Sequence, residues 1–425
     1  MKLVQNSAVV AILFAGILSV NATTPPPSEL NLEKLYQASL LVNEDVAQRS
    51  EEVIQREEQK SQVSGTLLPT VQGLGSYLKQ DSPSDPIRRN LTPTLQRNAR
   101  INARQFIFQG GSEYSFLNQT KKNLSASQEL LKAEKQKLYL ELSTLYLNTL
   151  LRQKELSYTE NELVLFGEQV KELSSRVKIG RSRRSDVLVV ETAQAQLLAR
   201  KKAIEQELKA FETQLTSLTQ LNIQSGLKEE LPFNSELKPL EFYMQSSQAQ
   251  PDLKAAGLLR DASESGIGVA RGRHLPTLDV TGNYFLRREG FNDGQWDASL
   301  NLVVPIFAGG TTQSAVREAA SQYRVMEVQY QKLLRERKQS IETLHHNLES
   351  SKEEILALQK AKESSEKTYQ QLRKDFRFGL VSNLDLVQAL KDNQAAKRTY
   401  DQTVYRHYLE RIQLEITAGL LPQKI

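Results

Sequence analysis

The sequence predicts a mixed α/β protein built from a duplicated unit: a helix, two strands and a long helical hairpin, then the same again. Three observations carry this. More than a hundred residues pass without proline between Pro93 and Pro232, and again between Pro305 and Pro422. Proline costs about 3 kcal/mol and glycine about 1 kcal/mol inside a helix, so such deserts read as very long helices. Paired segments of strand-like alternation stand just ahead of each long helical stretch, and sets of residues recur at constant offsets between the two halves.

The chain opens with Met1-Lys2-Leu3, an apolar run from Ala8 to Val20, and Val20-Asn21-Ala22. This is the charged, apolar and small-residue order of a secretory signal peptide over 1–22, and the run is shorter than the roughly 20 residues of a membrane span. Cleavage after Ala22 would leave the Pro-rich start Thr23-Thr24-Pro25-Pro26-Pro27. No other apolar run approaches spanning length, so an exported chain without a transmembrane helix is expected. There is no cysteine, which excludes disulfides, thiolate metal sites, thiol nucleophiles and a lipid-anchored Cys. A net charge of +5 from 55 basic and 50 acidic side chains is interspersed charge that suits solvated helix faces, and it gives little support to nucleic acid as a partner.

Leu30 to about Thr66, rich in Glu, Gln and Lys, reads as the first helix, ended by Leu67-Leu68-Pro69-Thr70. Strands are expected at about 70–80 and 98–108, separated by a Pro/Ser/Asp loop from Asp81 to Gln96. Gln109-Gly110-Gly111 closes the second strand. A hairpin over 112–221 follows, broken near 180 by Ile179-Gly180-Arg181-Ser182, and 222–250 reads as a compact connector. Further strands at about 277–287 and 297–307 precede a second hairpin, 311–421, with its tip near 379. Its first arm, about 311–377, would be about 100 Å long. Ile341, Leu344, Leu348, Ile355 and Leu358 lie at coiled-coil spacing along it.

The duplication is explicit in the residues. Leu68-Pro69-Thr70, Gly75 and Tyr77 recur as Leu275-Pro276-Thr277, Gly282 and Tyr284, an offset of 207 throughout. Ile107-Phe108, Gly110-Gly111, Gly180 and Asp186 recur as Ile306-Phe307, Gly309-Gly310, Gly379 and Asp385 at an offset of 199. The change of offset falls between the two strands of each half, where a loop absorbs it. The structural repeats are therefore 23–226 and 227–425. In the last strand Ala298, Leu300, Leu302, Val304 and Ile306 face one way and Asp297, Ser299 and Asn301 the other, as in a membrane barrel wall or a half-buried sheet. Four strands cannot close a barrel alone, and open sheet edges do not survive in lipid. A barrel of twelve strands from three chains is the expected solution.

In this order and twice over, the Leu-Pro-Thr strand entries, the Phe-x-Gly-Gly strand-to-helix turns and the tips resemble the TolC-type outer membrane efflux proteins, across about 30–421. Gly379-Leu380-Val381-Ser382-Asn383-Leu384-Asp385-Leu386-Val387 is close to the family's usual tip sequence. The resemblance implies a homotrimer with a β-barrel in outer membrane lipid that continues as an α-helical barrel through the periplasm, with 222–250 in an equatorial region. It implies a passive exit duct of a tripartite efflux or type I secretion system, docked at its tips to a periplasmic adaptor (membrane fusion) protein and an inner-membrane transporter. No enzyme activity and no cofactor are implied. A periplasmic coiled-coil scaffold or an adaptor without channel activity is the alternative. An adaptor would show one hairpin, a lipoyl-like β domain and an anchor, against two hairpins and two strand pairs here.

Ser382-x-x-Asp385 is a helix-capping pattern. The family resemblance also implies a carboxylate ring narrowing the pore near the tips, which makes Asp385 and Asp186 constriction candidates. Gln388 stands where a second acid would follow. The tyrosine and charge contacts that lock tips in the family's best-known member are not carried over, since Phe376 and Val381 stand at the comparable places. The first tip is basic, with Lys178, Arg181, Arg183 and Arg184, which is either a solvated charge cluster or a contact for an acidic partner. Ile179, Gly180, Arg181, Phe378, Gly379 and Leu380 are the candidates for adaptor docking. Adjacent His345 and His346 point about 100° apart on a helix, so they need further partners to chelate, and no metal is expected. No Ser/His/Asp arrangement, phosphate loop or dinucleotide motif is found.

Overall fold

A computed structural model of the chain describes residues 30–81, 84–85, 87, 94–223, 227–229, 236–289 and 294–420. The expected signal peptide and Pro-rich start, most of the 81–96 loop, parts of the 222–250 connector and the last residues lie outside the described residues.

The elements follow in chain order as α1 (Leu32–Val42), α2 (Glu44–Gly65), β1 (Thr70–Lys79), β2 (Leu95–Gln109), α3 (Ser112–Lys178) and α4 (Arg184–Thr219). Then come α5 (Leu240–Ser246), α6 (Pro251–Gly272), β3 (Thr277–Arg288), β4 (Trp296–Val303), α7 (Thr311–Arg377) and α8 (Asn383–Thr417). The helix expected over 30–66 is two helices. Asn43 leaves the helical conformation (φ −73°, ψ 122°) and its side chain accepts from the Val46 backbone N–H, so it caps α2 and ends α1. β2 begins at Leu95, earlier than the alternation alone suggests, because Leu95 to Arg97 pair with Lys79 to Tyr77. β4 stops at Val303 and does not reach 307. Its partner β3 starts at Thr277, opposite Val303, so beyond that point there is no strand to pair with, and Pro305 has no N–H to donate.

α3 and α7 are each 67 residues long, about 100 Å at the rise of an α-helix. Neither is paired by one equally long helix. α4 packs along α3 and α8 along α7 beside the tips, while α2 and α6 take over toward the sheet, and α3 also packs against α6 and α8. Among the described residues no helix is long and apolar enough to cross a membrane.

The strands form one antiparallel sheet in the order β1-β2-β3-β4, with β1 and β4 at its edges. Its two faces differ. On one, Asp279 is buried by Arg104, Thr281 and Asn301, and Asn283 links Asn102 to Asp297. On the other stand exposed Val71, Tyr77, Ile101, Val280, Tyr284, Leu286, Trp296, Leu300 and Leu302. The turn from β2 into α3 seats against the end of α6: a Cβ at Gly110 would lie 2.1 Å from the Gly272 carbonyl oxygen.

Among the described residues the buried core is divided into three clusters. One, at mid-length, joins Leu35, Leu142, Tyr146, Leu215 and Ile412. A second, toward the tips, joins Phe166, Leu173, Val190, Phe376 and Leu390. A third holds the connector helix α5 to the long helices through Tyr243, Ile341, Leu348 and Leu414. The connector also reaches the chain's beginning, where the Lys228 N–H donates to the Leu30 carbonyl at 3.0 Å.

Candidate functional site

The hairpin tips are built by the same device twice. α3 ends with Gly180 at φ 75° and α7 with Gly379 at φ 76°, a left-handed conformation that glycine adopts without strain. The N–H of Gly180 donates to Val177 and that of Arg181 to Arg176. Gly379 donates to Phe376 and Leu380 to Asp375 in the same way. Each pair of bonds is a Schellman closure that satisfies the last carbonyls of a helix. The returning helices open alike. Asp186 Oδ2 accepts from the Ser182 hydroxyl and the Arg183 N–H. Asp385 Oδ2 accepts from the Ser382 hydroxyl at 2.6 Å and the Ser382 N–H at 3.0 Å, while the Ser382 oxygen accepts from the Asp385 N–H. The Ser382 hydroxyl, then its backbone N–H, hold the Asp385 carboxyl below its usual value.

The residues singled out for docking lie on the outside of this end. Ile179, Phe378 and Leu380 are 65 %, 80 % and 74 % exposed, and Gly180, Arg181 and Gly379 are exposed beside them. Lys178, Arg183 and Arg184 are exposed too, and among the described residues none of these basic side chains is in an ion pair. Asp385 and Gln388 are exposed on α8, and Asp186 is half-buried on α4. Gln388 donates to Asp392 Oδ1 at 2.8 Å. Asp385, Gln388 and Asp392 therefore form one polar stripe along α8, with its second acid one turn later than Gln388. Asp392 was detectable in the sequence as the residue seven after Asp385, two helical turns on.

The two tips are fastened to each other by residues that no local pattern marks. Asn383, the first residue of α8, is buried. Its Nδ2 donates to the Asp186 carbonyl at 3.2 Å and its Oδ1 accepts from Gln169 of α3 at 2.6 Å. The Arg176 guanidinium lies 4.7 Å from the Phe376 ring centroid, and Arg373 reaches Glu168 at 3.5 Å. Further from the tip, α3 and α8 are joined by Arg398 with Glu162 at 2.7 Å and Tyr158 with Asp401 at 2.6 Å. Burial and the neighbouring Asp401 carboxylate push the Tyr158 hydroxyl above its ordinary range, so it stays a donor at any physiological pH.

These contacts hold the ends of the two hairpins against each other. A family model described as outer membrane efflux protein matches residues 35–222 and 243–419. Outer membrane protein TolC of Escherichia coli (strain K12) is 22% identical over 422 residues, covering 93% of this chain and 83% of that protein. Among solved structures, CusC superposes with a TM-score of 0.82 at 19% identity over 92% of both chains. VceC of Vibrio cholerae gives 0.81 at 15% identity over 91% of this chain and 96% of its own. TolC and VceC are outer membrane proteins and the matched family is described in the same terms, which places this chain in the outer membrane. With both hairpins and most of its length matched, the chain belongs to the outer membrane efflux protein family, a family of transport channels.

Proposed function

We propose that three copies of this chain form a passive exit duct, with twelve strands in the outer membrane and six hairpins in the periplasm. The observation that carries this is the sheet: four antiparallel strands with both edges open, one apolar exposed face and one hydrogen-bonded polar face. Open edges in lipid must be paired, and copies of the same chain pair β1 of one with β4 of the next. The apolar face then meets lipid, and the Arg104–Asp279–Asn301 network lines the water-filled lumen. The described part of the connector with α5, together with α1 and the end of α8, is the equatorial girdle. Substrate from an inner-membrane transporter passes through without chemistry. An adaptor docks on Ile179, Gly180, Arg181, Phe378, Gly379 and Leu380, and Asp385, Gln388 and Asp392 line the constriction beside them. Asp186 supports that end as the cap of α4.

The test is a detergent-extracted outer-membrane fraction and planar bilayers. A heat-resistant trimer with single-channel conductance is expected, with block by trivalent cations that weakens in Asp385→Asn, a change that keeps a capping oxygen. A monomer without conductance would overturn the duct. A conducting trimer whose block is the same in Asp385→Asn would remove only the constriction assignment.

A further inference from the structure

His345 and His346 lie on α7 where α5 and the residues before it pack against that helix. His345 is 5 % exposed and meets the Tyr243 ring edge-on at 6.0 Å. Its Nε2 lies 3.0 Å from the Lys238 carbonyl oxygen. A carbonyl only accepts, so Nε2 carries a proton, and in the neutral ring Nδ1 then keeps a free lone pair. That Nδ1 is sealed from solvent and has no hydrogen-bond partner. One helical turn on, Glu349 Oε2 stands 3.7 Å from His345 Nδ1 and 3.5 Å from His346 Nδ1. The three ligand atoms all fall within 4.8 Å of one another, and among the described residues no other such group of His and carboxylate side chains forms. Three electron-pair donors thus converge, and the one on His345 is buried without a hydrogen-bond partner among the described residues.

We propose that His345 Nδ1, His346 and Glu349 bind a divalent first-row transition metal ion of the Zn2+, Ni2+ or Cu2+ class. Metal–ligand bonds of about 2.0–2.2 Å in a tetrahedron set neighbouring ligand atoms about 3.4 Å apart, so the 3.5 and 3.7 Å edges to Glu349 nearly fit, and the edge between the two histidines, at no more than 4.8 Å, closes by side-chain rotation. Two imidazoles and a carboxylate without sulfur suit these ions over Cu(I), Mg2+ or Ca2+, and water completes the fourth position. The Lys238 carbonyl fixes the tautomer, as a ligating histidine's other nitrogen requires. Adjacent histidines alone cannot chelate. Here Glu349 supplies the third group, and burial turns the His345 lone pair toward it. Because Nε2 stays bound to Lys238, the ion would fasten the connector to α7, away from the tips.

The test uses the full chain without a polyhistidine tag, chelator-treated in detergent and titrated calorimetrically with ZnCl2. One saturable site per chain is expected, together with a rise in Tm, since an ion that binds only the native state stabilises it. His346→Ala and Glu349→Gln change side chains that are 70 % and 57 % exposed, so the fold is retained. Each should weaken binding by about tenfold or more and abolish the rise in Tm. His345→Gln keeps a donor for Lys238 and should lose the site as well. No saturable binding below about 1 mM, unchanged binding in His346→Ala and Glu349→Gln, or equal binding of MgCl2 would each overturn the site.

Discussion

Asn383 shows how much one buried amide does at the tips. It uses its donor on the Asp186 carbonyl and its acceptor on Gln169, so it touches both arms of the other hairpin. Its partners lie 197 and 214 residues away in the chain, which is why no local pattern reveals it. In the sequence it is one polar residue of a capping turn. Asn383→Ala leaves a buried Gln169 amide without its partner, at about 1–3 kcal/mol. The expected result is a channel that assembles normally but opens more often, read as raised open probability in bilayers. Asn383→Asp, which keeps the oxygen facing Gln169, should lie between it and the parent. Open probability equal to the parent in Asn383→Ala would show that the tips are held elsewhere, by Arg176 on Phe376 or by Arg398 with Glu162.

The long helices were the most legible elements, because their evidence is local and repeated. Proline-free stretches bounded by Gly110-Gly111, Gly180, Gly309-Gly310 and Gly379 enclose α3 and α7. What escaped was set by partners distant in sequence. β4 ends where β3 runs out. The break at Asn43 is the exception, a local cap on the Val46 N–H inside a sequence that reads as continuous helix. The pairing of α7 with α8 is held by side chains that only packing brings together. Burial alone would raise the Glu366 carboxyl, but hydrogen bonds from Gln370 on its own helix and from Lys397 and Asn393 on α8 outweigh it and hold it at about 2. In the unfolded chain it titrates at the ordinary 4.5. Between those values the unfolded state takes up a proton that the folded state refuses. Glu366 therefore stabilises the hairpin above pH 4.5, and that contribution fades as pH falls toward 2. Tm should drop less between about pH 6 and about pH 3 in Glu366→Gln than in the parent. Parallel Tm curves for the two proteins would take Glu366 out of the acid response.

At the scale of the whole molecule, the proposed assembly rests on the two faces of the sheet, and they can be told apart at neighbouring positions. Leu300 and Asn301 are consecutive in β4, so their side chains point to opposite faces. Leu300 is 67 % exposed on the apolar face, while Asn301 Nδ2 donates to Asp279 Oδ1 at 3.1 Å on the polar one. Both sit in the middle of the β3–β4 ladder, at Val280 and Asp279 respectively, so depth in the membrane is nearly the same for both. Arginine on a lipid face near the bilayer midplane costs about 2–4 kcal/mol. On a lumen face it meets water, and at 301 it would still offer a donor to Asp279. Leu300→Arg should therefore lose most heat-resistant trimer from the outer membrane, while Asn301→Arg should assemble and alter only the conductance or its ion selectivity. Equal loss in both would mean that neither face meets lipid. Greater loss in Asn301→Arg would place lipid on the polar face and reverse the reading of the sheet. The outcome belongs to no single residue, because the distinction exists only if β1 and β4 of different copies close the sheet into a wall with an inside and an outside.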